Sequence, residues 1–208
     1  MPDKHIAQKY DEVASAYDRR WQIYVQPTLG YFAKALSLRG NERVLDVSCG
    51  TGELMARLHT RYSDLELVGV DLSAEMLREA RAKLGEVPHI TLRQGNAEAL
   101  PFDEATFDVV VSTSAFHYYE HPEQALSEFQ RVLRPGGHLA MMDWNASYWL
   151  WQLLDPVLRR FDTTYKGAYD PDTVRNLLHA ADFQAVNVQA VRVGWIWGMW
   201  RASASCPA

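Results

Sequence analysis

Along the chain, short β-branched apolar runs alternate with longer segments whose apolar residues recur at helical spacing. Arg43-Val44-Leu45-Asp46-Val47 reads as a buried strand and Leu65-Glu66-Leu67-Val68-Gly69-Val70-Asp71 as a second. His89–Leu92 is a weaker third, Phe107–Ser112 a strong fourth and His138–Met142 a fifth. One helix starts after Gly52 with Leu54 and Leu58 on one face. Another starts at Ser73, a good N-cap, with Met76, Leu77, Ala80 and Leu84 as its apolar stripe. A third runs from Pro122 to Leu133, and Pro135-Gly136-Gly137 then turns the chain into the next strand. Strands this apolar, alternating with helices, predict a parallel sheet covered on both faces. Right-handed crossovers make it doubly wound. The tail differs. Phe183–Val193 and Trp195–Ala204 are strand-like with only Gly194 between them, which predicts an antiparallel hairpin at one edge. Residues 5–39 read as helices lying over the sheet's end, with Ala7, Val13, Ala14, Tyr17 and Trp21 at helical spacing.

Composition narrows the class. The 208 residues suit one domain, and 48% hydrophobic with 23% charged residues is a globular balance. No apolar run approaches the roughly 18 residues of a membrane span, and the start lacks a signal-peptide core. The net charge of −5 would repel a phosphate backbone, so nucleic acid is not the expected partner. Two cysteines, Cys49 and Cys206, form no disulfide framework and suit a reducing compartment. The expected location is therefore cytoplasmic, where the sequon Asn145-Ala146-Ser147 carries no meaning.

In such a sheet, ligands bind beyond the carboxyl ends of the strands. The first loop there is Asp46-Val47-Ser48-Cys49-Gly50-Thr51-Gly52, whose glycines let backbone approach a ligand and start a helix. A dinucleotide fold is the rival, yet Met55 stands where a third glycine belongs. Asp46 and Glu53 would also face a pyrophosphate with two carboxylates, whereas a cationic amine would be favoured. Asp71 ends the second strand, placed to accept from ribose hydroxyls. The constellation asks for a nucleoside with a positive or zwitterionic tail.

Val44–Gly52 resembles the first motif of the class I S-adenosylmethionine-dependent methyltransferases, in the branch of ubiquinone and menaquinone biosynthesis and other small-molecule enzymes. The likeness continues through Gly69-Val70-Asp71-Leu72-Ser73 with Met76, then Gly95–Phe102, Phe107–Ser112 and Arg131–Gly137. It implies an α/β, Rossmann-like class I methyltransferase fold of about seven strands, mostly parallel with an antiparallel C-terminal hairpin. It implies one domain over 1–208: a helical cover at 1–40, a cofactor core at 41–144, and acceptor-side helices with the hairpin at 145–208. By the same resemblance Gly50 and Gly52 face the methionine part of S-adenosylmethionine, and Asp46 holds that region's polar network or the amino group. Asp71 binds the ribose, Leu72 and Met76 flank the adenine, and Asn96 and the Ala97 nitrogen contact it. Ser48 and Ser112 complete the set. Ser48 stands where the family usually has glycine, and Asn96 where aspartate is common. S-adenosylhomocysteine would be the product.

Other readings compete at single residues. Asp46 and Asp71 could be turn or cap residues, Cys49 an ordinary small loop residue, and Met76 simply core. His117-Tyr118-Tyr119-Glu120-His121 fits a zinc-peptidase pattern, but Pro122 biases His121 away from helix, so no metal is expected. His117 is the candidate catalytic residue, at the crevice lip, as a general base or as a group that shapes the pocket. Methyl transfer mainly needs alignment and exclusion of water, so a cover is required. Tyr10–Trp21 resembles the N-terminal segment that closes over the cofactor in related enzymes, with Tyr17 at the methionine end. Trp21, His117, Trp144, Tyr148 and Trp149 are candidates for contact with a small-molecule acceptor, planar, apolar or cationic. Trp195, Trp197 and Trp200 suit a core or a dimer edge equally, so monomer and homodimer both stay open.

Overall fold

The computed structural model describes residues 2–208; Met1, the first residue of the expected cover, lies outside them. In chain order the elements are α1 (Pro2–Arg20), α2 (Gln22–Ala35), β1 (Arg43–Val47), α3 (Glu53–Arg61), β2 (Glu66–Asp71) and α4 (Ala74–Leu84). There follow β3 (Ile90–Gln94), β4 (Phe107–Thr113), a 3-10 turn (Phe116–Tyr118), α5 (Pro122–Val132) and β5 (Leu133–Trp144). The last are α6 (Trp149–Phe161), α7 (Pro171–Ala180), β6 (Gln184–Val193) and β7 (Trp197–Ser205).

The strands form one sheet in the order β3-β2-β1-β4-β5-β7-β6. The first five run parallel, with Leu45 opposite Val68 on one side and Val110 on the other. β7 inserts antiparallel between β5 and β6, so the hairpin closes one edge as its alternation predicts. Period-two patterning sorts side chains to two cores. Leu45 and Val47 face α5 and α7, where Leu126, Phe129, Val174 and Leu178 are buried. Val44 and Leu67 face α2, α3 and α4.

Three boundaries differ from the sequence reading. β7 starts at Trp197 rather than Trp195, because Val193 pairs with Trp197 and the turn takes Gly194, Trp195 and Ile196. β3 starts at Ile90 and reaches Gln94, because it pairs with β2 out to Asp71. β5 starts at Leu133, so Pro135-Gly136-Gly137 lies within a strand rather than a turn. Leu133 already pairs with Phe107, and an irregularity between Phe107 and Val109 absorbs the glycines. There Gly136 takes φ +72°, and the tail docks through Cys206 N to Gly137 O at 2.8 Å. The N-terminal helices break at Trp21, which is 43% exposed; Ala14, from the same expected face, is buried.

Candidate functional site

The loop after β1 is organised from its own backbone. Gly50 takes φ +54° and donates its N–H to Asp71 Oδ2 at 2.8 Å, while Ser73 N–H donates to Asp71 Oδ1 at 2.9 Å. Cys49 N–H reaches Val70 O at 3.0 Å. One carboxylate at the end of β2 therefore shapes the loops after both β1 and β2. Gly52 has φ +73°, and a Cβ there would lie 2.9 Å from Leu84 Cδ1, so this glycine serves the turn and the α3–α4 contact. Gly69 lets β2 pass under the loop, since its missing Cβ would meet Cys49 Sγ at 2.8 Å. Ser48, where the resembled family has glycine, takes φ +59°, a conformation costing roughly 1–2 kcal/mol for an L-residue. Its hydroxyl is 3.1 Å from Tyr119 Oη, which also lies 3.1 Å from Ser112 Oγ and so ties the loop to β4.

Helix α1 covers the loop and is latched at three places. Ser73 Oγ donates to Asp11 Oδ1 at 2.5 Å, and Glu75 N–H to the same oxygen at 3.2 Å. Thr51 Oγ1 donates to Asp18 Oδ1 at 2.6 Å, and Lys83 pairs with Asp18 at 2.5 Å. Lys9 pairs with Asp162 at 2.5 Å and donates to Thr164 at 3.0 Å.

Between cover and strand ends lies a cavity of about 1170 Å³, part of it open to solvent. Asp46, Ser48, Gly50, Asp71, Leu72, Met76, Asn96, Ala97 and, from the cover, Tyr17 all line it. Among the described residues the lining includes Asp46, Glu53, Asp71, Glu98 and Glu120, but no lysine, arginine or histidine. Asp46 is 3% exposed, and its buried Oδ2 has no partner. Burial first, and the Asp71 charge second, push its carboxyl up to about 8. Burial also raises Asp71, which the Ser73 and Gly50 N–H groups partly offset. Asn96 Oδ1 accepts from Glu98 N–H at 2.9 Å, an Asx turn that presents Ala97 to the cavity.

Tyr10, Tyr24, Tyr118 and Tyr119 also line the cavity and were not singled out from the sequence. Tyr10 and Tyr17 lie seven residues apart on α1, a spacing that returns to one helical face and is the signal the sequence offers for that pair; Tyr24 comes from α2. Burial pushes the Tyr17 phenol up to about 12, with Asp71 adding to it. Tyr10 packs edge-on against Tyr118 with centroids 5.7 Å apart.

The other candidates lie elsewhere. Gly52 and Ser112 support the lining without joining it. His117 is 1% exposed in the 3-10 turn, one layer behind the cavity. Its Nδ1 is 2.7 Å from Asp143 Oδ1, its N–H donates to Asp143 Oδ2 at 3.1 Å, and its Nε2 is buried without a partner. Trp144 stacks on it at 3.9 Å and on Trp151 at 4.2 Å, and donates Nε1–H to Tyr24 Oη at 2.8 Å. Tyr24 Oη in turn lies 2.6 Å from Ser114 Oγ at the cavity edge. Tyr148 packs over Gly198, while Trp21 and Trp149 are exposed. His121 is the residue before α5, on a different element from His117; among the described residues no cluster of three or more His, Cys, Asp or Glu side chains could hold a metal.

Residues 45–141 match the methyltransferase domain family. A ubiquinone/menaquinone biosynthesis C-methyltransferase of Syntrophotalea carbinolica is 35% identical over 145 residues, covering 67% of this chain and 58% of that protein. The chain thus spans well under two thirds of that relative's length. A protein solved with the Haloferax volcanii Trm112 methyltransferase activator superposes at TM-score 0.84 with 18% identity, covering 96% of this chain and 98% of that one. The [4+2]-cyclase SpnF superposes at 0.78 with 19% identity, covering 98% and 95%, so the fold alone does not select a reaction.

Proposed function

Because this chain belongs to the class I S-adenosylmethionine-dependent methyltransferases, we propose that it moves a methyl group from S-adenosylmethionine to a small acceptor and releases S-adenosylhomocysteine. The observation that carries this reading is the orphaned, buried Asp46 oxygen in a cavity lined by carboxylates and, among the described residues, by no cationic side chain. Such a lining suits a ligand with an ammonium group and opposes a pyrophosphate, which disfavours the nicotinamide rival. Gly50 and Asp46 would receive the methionine end, Asp71 the ribose through the lone pairs that Gly50 and Ser73 leave free, and Leu72, Met76, Asn96 and Ala97 the adenine. S-adenosylmethionine supplies, when bound, an electrophilic methyl on a sulfonium. The chain's own task is then alignment and dryness, with α1 and its tyrosines closing the site.

The acceptor side follows from the same lining. Ile6, Ala7, Val25 and Leu29 stand among the tyrosines of the cover. With no cation among the described lining residues to pair an acidic group, the favoured acceptor is neutral or cationic with an apolar or aromatic body. The division of labour we assign is a cover at 1–40 that also carries the acceptor lining, a cofactor core at 41–144, and helices with the terminal hairpin at 145–208 that back the site without lining the cavity. Incubating the protein with methyl-labelled S-adenosylmethionine and a native metabolite extract should yield a labelled product by mass spectrometry. Tight S-adenosylhomocysteine binding with no labelled product across broad extracts would favour a non-catalytic sensor instead.

A further inference from the structure

The large apolar side chains that the described residues leave exposed come from three segments only. On α6, Trp149, Leu153, Val157 and Phe161 are exposed at intervals of four residues, so they share one arc of that helix while Trp151 faces inward. Trp195 and Ile196 form the β6–β7 turn, with Trp195 94% exposed. Trp21 and Ile23 bracket the start of α2. Contacts beneath join the three segments. Trp197, just after the turn, packs edge-on against Tyr24 at 5.0 Å and lies 6.4 Å from Trp151, which donates to Gly198 O at 2.7 Å. An apolar face of this extent has an occupant.

Its charge says which. Residues 19–23, 149–161 and 192–197 hold five arginines and one acid, Asp155, in a chain whose net charge is −5. Only Arg159 is paired, with Asp155 at 2.6 Å; Arg19, Arg20, Arg160 and Arg192 have no ion-pair partner among the described residues. We propose that this face docks onto an anionic lipid surface, with its tryptophans and Phe161 in the interfacial layer and its arginines at the lipid phosphates. A second copy of the chain is a poorer occupant, because a two-fold contact would set these arginines against themselves. No described helix is long and apolar enough to cross a membrane. The docked face adjoins the cover, since α2 carries both Ile23 and the cavity residues Val25 and Leu29. An acceptor could then pass from lipid to cavity beneath α1 and α2; that route rests on the methyl-transfer reading, whereas docking does not.

Flotation of the full chain with phosphatidylcholine vesicles, with and without phosphatidylglycerol, tests docking without any turnover. Binding should need the anionic lipid and fall as salt rises. Trp195→Ser with Phe161→Ser should weaken it by about tenfold or more. Arg160→Gln and Arg192→Gln should each weaken it by about fivefold. An unchanged circular-dichroism spectrum and cooperative thermal melt show that each variant is folded. Equal binding to neutral vesicles overturns the anionic assignment. No flotation, with a dimer in light scattering that Trp195→Ser and Phe161→Ser dissociate, assigns the face to a second copy. No flotation and no dimer assigns it to another protein. Failure of methyl transfer would leave these outcomes unaffected.

Discussion

The floor of the cavity and the wall behind it are built by different means. The floor is backbone: Gly50, Ser73 and Val70 converge through N–H and C=O groups on residues within about one βαβ unit, with Asp71 as the shared acceptor. The wall is side chain. His117, Trp144 and Trp151 stack one on the next, and Tyr24, 120 residues before Trp144 in the chain, joins them through its hydroxyl. A floor made of backbone holds its shape only while its few special residues remain. A wall of stacked rings spreads its stability over many contacts, so single changes there should alter stability more than chemistry.

Asp71→Ala should break the floor most severely. It removes both charge-assisted bonds, each worth about 1.5–3 kcal/mol, together with the proposed ribose contact. Calorimetry should show S-adenosylhomocysteine binding weakened by about a hundredfold. Affinity within threefold of the native value would move the ribose elsewhere.

Asp46 sharpens the contrast through pH. Its folded pKa is raised to about 8 from 3.8, so the native state keeps a proton that the unfolded chain gives up. Stability without ligand is therefore fully present below the unfolded value and is lost as pH rises toward about 8, at up to about 1.4 kcal/mol per pH unit. Binding of an ammonium group runs the other way, because it needs the carboxylate. S-adenosylhomocysteine affinity should rise toward about pH 8, by up to tenfold per unit. Asp46→Asn should flatten both curves, stabilising the free protein at the alkaline end while weakening the complex. Thermal melts and titrations across that range measure both; a slope that survives in the variant belongs to another group.

The same division explains what could be read in advance. β1, β2, β4 and the glycine turn were legible because apolar strand periodicity and positive-φ positions are local properties. Ser48 was legible as a substitution but not as a braced one, since its Tyr119 partner is 71 residues away. The acceptor side was harder. Trp144, Tyr148 and Trp149 follow β5 in sequence, yet one stacks into the wall, one lies over Gly198 and one faces outward. Aromatic content does not say which way a ring points, because that depends on partners in distant segments such as Gly198. The cover was read as a helix, but its latches were not, for Asp11 and Asp18 look like ordinary solvent-facing acids until α4 and the Thr51 loop arrive.

That cover supplies a test of intermediate size. Asp11→Ala removes the two bonds holding α1 to the start of α4. S-adenosylhomocysteine should bind about five- to tenfold more weakly, and limited proteolysis within α1 should quicken. Unchanged proteolysis would mean that the other two latches suffice.

The smallest catalytic effect is expected at His117, the residue that sequence position most favoured for chemistry. It lies outside the cavity lining, its Nδ1 is held by Asp143, and its ring is covered by Trp144. His117→Asn retains a donor for Asp143 but no base. If the residue only positions Trp144, and through it Tyr24 and Ser114, turnover of the acceptor found in the labelled extract should stay within about threefold, with the pH profile intact. The melting temperature should nonetheless drop, because the ring stack is worth about 0.5–1.5 kcal/mol beyond its burial. His117→Ala should cost more, about 1–3 kcal/mol, by leaving the 2%-exposed Asp143 without its ring partner. A fall in kcat of about 10²–10⁴-fold in His117→Asn, with one limb of the pH profile gone, is the signature of a general base. That result would require the wall to open when acceptor binds, so that Nε2 reaches the cavity, and would make Trp144 the moving part.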